Sequence, residues 1–473
     1  MKFKYIYLLA FTAIFWTSCK KDLGNYTYSP PSEPVIEGIA AANFPAVTGD
    51  TLVIQPKVSL EGADPLKDLN FEWQIVIREE LRNVTYTGYP LKMLYGLGPG
   101  ERDGTLIVTD KRNGLIYKFP FKVTGTTPFT SGTVILSNDN GTAKLSFVKP
   151  DNTVLPNIYQ SLNDQTLPGN PVQLYYSKPL SHQLLSKEEY WVLCNDPVKG
   201  SVIVDANTLL HKDEFKSQFF LPPSLISPGY LETMSGTISN GVINHKLYIG
   251  ISSTAPFAPD YGKFANEQSG DYSLSSHFTR GSSFYFGFDT KAKAFVIFGG
   301  DGSYLGTNYL VKETTIFNPK AIGLQNLIYM KAGESGTSYA YFKEADGNTY
   351  ELKFSYKLTG TDKEIIPEHK RVFKGSASVN ADSKWVRNNL NVFYFSSNDK
   401  IWRYNPVNES LTELEANFAG KKVTMLKISA DGNTITAGAN GSVYLLDVTV
   451  GKNGNITKTI NGIPGDAVDV VVR

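Results

Sequence analysis

Between residues 126 and 460 one motif keeps returning: a pair of short apolar strands around a polar turn built on Gly or Asn. Thr133-Val134-Ile135-Leu136 and Ala143-Lys144-Leu145-Ser146-Phe147 flank Ser137-Asn138-Asp139-Asn140-Gly141, and Tyr190-Trp191-Val192-Leu193-Cys194 is followed by Ser201-Val202-Ile203-Val204-Asp205. The unit recurs near Lys246–Gly250, Phe284–Phe298, Leu327–Phe354, Val392–Tyr404 and Met425–Asp447. Strands this short cannot bury both faces alone, so repeated units must stack on one another. The expectation for 126–460 is a seven-bladed β-propeller, with 461–473 a tail or closing strand. Asp431-Gly432-Asn433 and Asn440-Gly441 supply residues that tolerate positive φ, and each reads as a tight hairpin between successive strands. The proline-rich stretch from 148 to 189 breaks the spacing and reads as an insertion or an atypical first blade. A stack of sandwiches is the alternative.

Residues 35–125 have a different rhythm. Phe71, Trp73 and Ile75 alternate with Asn70, Glu72 and Gln74, so one face of that strand is core. Thr51–Ile54, Gly104–Asp110 and Ile116–Val123 read as further strands, and six or seven of them in this length make an immunoglobulin-like sandwich. Residues 19–34, with Pro30, Pro31 and Pro34, have no apolar period and read as a tether.

At the amino terminus the basic start Met1-Lys2-Phe3-Lys4 leads into an apolar segment that is too short to cross about 30 Å of hydrocarbon and ends at Thr17-Ser18-Cys19-Lys20-Lys21. Residues 1–18 are expected to be a signal peptide, with Cys19 acylated after cleavage and the protein held on the outer membrane, facing the exterior. Trp16 departs from the aliphatic residue usual three positions before such a cysteine. An ordinary secretory signal with an incidental cysteine is the other reading.

The order Phe71-Glu72-Trp73, then Leu106-Ile107-Val108-Thr109-Asp110, then a strand closing at Val123, resembles the PKD-type sandwich. With the Ser-Cys-Lys-Lys-Asp start, the chain resembles the PKD-like lipoproteins of Bacteroidota. The resemblance implies that Trp73 packs between sheets and that Val108, Thr109 and Asp110 open a turn before the last strand. It also implies a SusC/SusD-type outer-membrane nutrient importer as partner and a role in capturing a glycan or peptide.

Charge gives no reason to expect nucleic acid, with 46 basic against 45 acidic residues in 473. Cys194 and Cys19 are the two cysteines, and Cys194 lies in an apolar strand, where a buried inert thiol is expected. The five histidines are far apart in sequence, and no metal-ligating or catalytic signature is present, so neither cofactor nor metal is expected. Gly299-Gly300-Asp301-Gly302 lacks a following helix and reads as a hairpin turn. The aromatic pairs Tyr339/Tyr341, Phe393/Phe395 and Trp402/Tyr404 read as core, while Phe257, Asp260, Tyr261 and Tyr304 read as loop contacts for ligand or partner. The functional expectation is a non-catalytic accessory of the importer that binds oligosaccharide or peptide. A propeller-type glycoside hydrolase or lyase, and a structural subunit without ligand, are the alternatives.

Overall fold

The computed structural model describes residues 32–178, 188–233, 238–252, 260–281, 284–332, 336–358 and 361–473. Cys19, the signal segment, most of the tether and Phe257 lie outside the described residues. No helix among the described residues is long and apolar enough to cross a membrane.

The chain opens with nine strands: β1 Val35–Glu37, β2 Asn43–Val47, β3 Thr51–Ile54, β4 Lys57–Ser59, β5 Leu69–Ile77, β6 Arg82–Thr87, β7 Leu91–Leu94, β8 Gly100–Asp110 and β9 Ile116–Thr126. Five of them form a sheet in the order β2-β9-β8-β5-β6, while β3 pairs with β7 and β1 with β4. The strand β2 runs parallel to β9, and the other ladders are antiparallel. Leu69, Phe71, Trp73, Ile75 and Ile77 are buried on one face of β5, and the first four meet Leu52 and Ile54 of β3 and Leu91 and Met93 of β7. Period-two alternation therefore built this core, as the sequence indicates. The strand number exceeds the expected six or seven because β1 and β4 are three residues long and carry no readable period.

Trp73 is fully buried, edge-on to Phe121 at 5.7 Å, and its indole N–H donates to the Gly88 carbonyl at 2.9 Å. The Phe121 ring stands 2.4 Å from where a Cβ on Gly104 would lie, so only glycine fits opposite it. Val108 is buried and Thr109 half-buried. Asp110 ends β8 with a fully buried carboxylate that accepts from the Arg112 N–H at 2.9 Å and from the Arg112 guanidinium at 2.8 Å. Its carbonyl accepts the Gly114 N–H at 2.7 Å, which closes the turn into β9.

The remainder is a succession of antiparallel sheets. The first strands are β10 Thr133–Asp139, β11 Thr142–Val148 and β12 Val154–Leu155, and a second sheet holds β13 Pro171–Ser177, β14 Glu189–Cys194, β15 Val202–Asp205 and β16 His211–Glu214. A third holds β17 Pro228–Thr233, β18 Ser239–Ile243 and β19 Lys246–Ile249, and a fourth β20 Leu274–Arg280, β21 Phe284–Asp289, β22 Ala294–Gly299 and β23 Tyr304–Gly306. Next come β24 Leu327–Ala332, β25 Thr337–Lys343, β26 Thr349–Leu358 and β27 Lys363–Val372, then β28 Trp385–Arg387, β29 Phe393–Ser397, β30 Lys400–Asn405 and β31 Ser410–Glu413. The last strands, β32 Val423–Ile428, β33 Thr434–Asp447 and β34 Asn455–Val472, join the first three in one sheet of order β12-β11-β10-β34-β33-β32.

Each sheet shares a buried core with the next. Trp191 and Ile203 meet Leu231 and Ile243, Val242 and Leu247 meet Leu274 and Phe298, and Phe286 and Phe295 meet Phe342 and Phe354. Tyr339 and Tyr341 meet Phe393, Phe395 and Tyr404, with Trp402 half-buried against them, so these aromatic pairs are core. Tyr394 and Ile401 meet Ile435 and Leu446, Met425 and Val443 meet Ile135 and Val148, and Val134 and Leu136 meet Leu174 and Val192.

Two local expectations need correction. Asp431-Gly432-Asn433 does turn β32 into β33, with Gly432 at φ +74 and its N–H on the Ser429 carbonyl at 2.9 Å. Asn440-Gly441 does not make a hairpin, because the two halves of β33 ladder with different strands: Ala439 faces Val423 of β32 and Ser442 faces Asn461 of β34. Positive φ at Gly441 is spent on a bulge between them. The proline-rich stretch contains β12, a helix Ile158–Asn163 that buries Ile158 and Tyr159, and the start of β13.

Candidate functional site

The strands β13, β17, β20, β24, β28 and β32 each lie at one edge of their sheet, and residues 466–472 of β34 ladder with β10. An edge strand leaves main-chain N–H and C=O groups that need partners. Here neighbouring strands supply them from side chains. Asp469 of β34 accepts the Leu174 N–H at 3.0 Å; Gln173 of β13 donates to the Leu231 carbonyl at 2.8 Å and accepts its N–H at 2.9 Å. Glu232 of β17 bonds to the Arg280 main chain and His277 of β20 to that of Ile328. Arg387 of β28 donates to the Lys331 carbonyl at 3.1 Å, and Lys427 of β32 donates to the Val470 carbonyl at 2.6 Å and pairs with Asp469 at 2.8 Å.

These links put equivalent ends of successive edge strands side by side. An aromatic residue and, two places on, a charge recur on four of them: Tyr230 and Glu232, Phe278 and Arg280, Tyr329 and Lys331, Trp385 and Arg387. Tyr329 stacks on Trp385 at 5.6 Å, His277 meets Tyr329 edge-on at 5.7 Å, and Phe278 meets Tyr230 at 6.5 Å. Tyr230 keeps 42% of its surface open.

Groups on neighbouring and next-nearest edge strands feel one another. Burial raises the Glu232 carboxyl, against the opposing pull of Lys331 and Arg280. Burial lowers His277 to about 4, and the Lys331 ammonium acts in the same direction. Burial also raises the Tyr230 and Tyr329 phenols, with Glu232 and Asp469 adding to the rise at Tyr230. The aromatic-x-charge repeat could have marked this site in the sequence. It was missed because the strands carrying it are short and widely spaced.

The residues singled out from the sequence lie elsewhere. Asp260 and Tyr261 are half-buried ahead of a bridge between Gly250 and Phe264, and Asp260 pairs with Lys263 at 2.9 Å. Tyr304 is in β23, the edge of its sheet opposite β20, and packs on Tyr272 at 4.7 Å and Phe298 at 5.3 Å. It is a packing residue rather than a loop contact. Gly302 donates to the Gly299 carbonyl at 2.9 Å, so that segment is a turn. Cys194 is fully buried, and burial pushes its thiol up to about 12. A polar cleft of about 420 Å³ lies between the β10–β11 turn and the β33 bulge, where Asn440 donates to Asp466 at 3.0 Å. No cluster of three or more His, Cys, Asp or Glu among the described residues is placed to hold a metal ion.

Residues 19–171 match the PKD-like family, so a PKD-like domain occupies this part of the chain. No curated protein matches. Among solved structures, the chain is similar to a quinonprotein alcohol dehydrogenase-like protein from Bacteroides thetaiotaomicron, at 13% identity and a TM-score of 0.43, covering 93% of this chain and 99% of that one. It is also similar to a functionally unknown protein from Desulfotomaculum acetoxidans, at 10% identity and a TM-score of 0.40, covering 72% and 99%. A third is the dihydro-heme d1 dehydrogenase NirN in complex with DHE, at 11% identity and a TM-score of 0.39, covering 90% and 80%.

Proposed function

We propose that the sheets after the PKD-like domain form a seven-bladed propeller whose central opening binds an oligosaccharide or peptide. In this reading the chain is a surface lipoprotein, anchored in the outer membrane through acylated Cys19, and a non-catalytic accessory to a SusC/SusD-type importer. The succession of shared cores, running from each sheet to the next and from the last to the first, supports the propeller. The PKD-like domain then acts as the spacer between anchor and recognition body.

The observation that carries ligand binding is the set of charged side chains on successive edge strands beside the open ring of Tyr230. Three carboxylates lie on these strands, Glu232, Asp466 and Asp469, and their situations favour binding over hydrolysis: Asp466 accepts from Asn440 at 3.0 Å in the polar cleft. Asp469 is held by the Leu174 N–H, the Val470 N–H and Lys427, which leaves Glu232 without a free partner for a two-carboxylate mechanism. A hydrolase reading has one observation in its favour: burial raises Glu232, as suits a proton donor.

Affinity purification from outer membranes of a cell that makes the protein tests the accessory role, with Cys19→Ala as the control that cannot be acylated. Co-purification of an importer pair with the acylated chain supports it, and a bait that elutes alone overturns it. Oligomer cleavage that is abolished in Glu232→Gln would establish the hydrolase instead.

A further inference from the structure

We infer that the amino-terminal sandwich and the sheets after it are locked into one rigid arm through a single peptide unit, the one between Thr126 and Thr127. The inference concerns the fold alone and stands or falls independently of any ligand.

The strand β9 ends at Thr126, which pairs with Val47 of β2. The Thr126 carbonyl accepts the Thr48 N–H at 2.9 Å and its hydroxyl donates to the Ala46 carbonyl at 3.3 Å, so the carbonyl half of the peptide belongs to the sandwich. The amide half belongs to the other side. The Thr127 N–H donates to the Thr130 hydroxyl at 2.8 Å, and the Thr130 N–H returns to the Thr127 carbonyl at 3.2 Å. The Thr127 hydroxyl donates to the Asn207 carbonyl, just beyond β15, and accepts the Phe129 N–H at 3.2 Å. Asn207 is itself held, through its N–H by Asp205 at 3.0 Å and through its side chain by Arg473 at 2.9 Å. Phe129 then packs on the core shared by the first and second sheets, edge-on to Phe147 at 5.2 Å.

Domains in one chain commonly move on an exposed linker. Here no linker separates them. A peptide unit is planar and does not rotate about its own C–N bond, so movement has to come from ψ of Thr126 or φ of Thr127. Turning the first takes the carbonyl away from Thr48, and turning the second takes the N–H away from Thr130. Glycine would be the usual source of freedom beside such a joint, but Gly125 and Gly132 are both closed in. A Cβ on Gly125 would lie 2.2 Å from the Gly98 carbonyl oxygen, and one on Gly132 would lie 2.6 Å from that of Val148. Gly132 also exchanges main-chain bonds with Arg473, at 3.4 and 2.9 Å. The sandwich and the sheets turn as one body, and whatever grips the sandwich sets the direction in which the sheets face.

The test is pulsed electron-spin distance measurement on the full chain carrying Cys19→Ser, with nitroxides at the exposed positions Lys118→Cys in β9 and Lys452→Cys ahead of β34. Two variants are compared with it: Thr127→Val, which keeps the N–H and loses the bond to Asn207, and a Gly-Ser-Gly-Ser insertion between Thr126 and Thr127. Melting curves verify that both fold. The expected result is one narrow distance distribution in the parent chain, widened on the order of twofold by the insertion and to a smaller extent by Thr127→Val. A parent distribution as wide as that of the insertion variant overturns the inference. A narrow distribution that survives either change also overturns it, because contacts elsewhere would then hold the two bodies.

Discussion

Asp469 accepts the main-chain N–H of Leu174 at 3.0 Å across 295 residues of sequence. The same carboxylate accepts the Val470 N–H at 2.7 Å and pairs with Lys427 at 2.8 Å, so one side chain of β34 ties the edge strands β13 and β32 together. Replacing it with alanine leaves the Leu174 N–H without its acceptor and Lys427 without its partner. Asp469→Ala is expected to cost about 2–3 kcal/mol in urea unfolding, and Asp469→Asn less, because an amide oxygen still accepts one bond.

A fully buried carboxylate joins β26 and β27 to the following sheet. Glu351 is fully buried, accepts from His369 at 2.8 Å and from both Nε and Nη2 of Arg371, and Arg371 goes on to Tyr404 and the Pro406 carbonyl, each at 2.9 Å. Arg371→Met strands this charge, and a loss of about 3–5 kcal/mol is expected in denaturant unfolding. Adding Glu351→Leu to that variant should recover most of the loss, since the stranded charge is then gone.

Acid sensitivity should trace partly to His277. Its folded value of about 4 lies below the ordinary 6.5, so between the two the unfolded chain binds a proton that the folded chain does not. Stability from this group is therefore full above pH 6.5 and falls as the pH drops toward 4. His277→Gln should flatten the melting temperature against pH across that window, by an amount on the order of 2 kcal/mol at its lower end.

Cys194 should be silent in the folded protein. Burial pushes its thiol up to about 12 and Asp196 adds to the rise, so thiolate is scarce at neutral pH. In a Cys19→Ser variant, alkylation at pH 8 is expected to proceed only as fast as the second sheet opens. Rapid modification of the native chain would show that β14 is accessible.

The parts legible in the sequence are those governed by neighbours along the chain. Phe71, Trp73 and Ile75 declared their face by alternation, Asp431-Gly432-Asn433 declared its turn by tolerating positive φ, and Tyr339, Tyr341, Phe393 and Phe395 declared themselves core by sharing a strand face. Asn440-Gly441 looked the same as the preceding turn. It became a bulge because β32 and β34 compete for the two halves of β33, a choice made by strands distant in sequence. The helix Ile158–Asn163 was hidden for a similar reason: six residues are too few to show a helical period, and its buried Ile158 and Tyr159 answer to the β11 side of the core. The inner-strand site was the least legible. Arg280 ends its short strand and Glu232 and Lys331 lie one residue from the end of theirs, and only the lateral alignment of those strands relates the three charges.

The ladder between β10 and β34 pairs Thr133 with Val472 and Val134 with Val471. During synthesis β10 leaves the ribosome long before its partner exists, so the first sheet spends most of that interval with an open flank. The first sheet cannot be completed before its last strand exists. Completion is a single late event, and a chain interrupted at any point before β34 is left with an exposed edge by which quality control can recognise it.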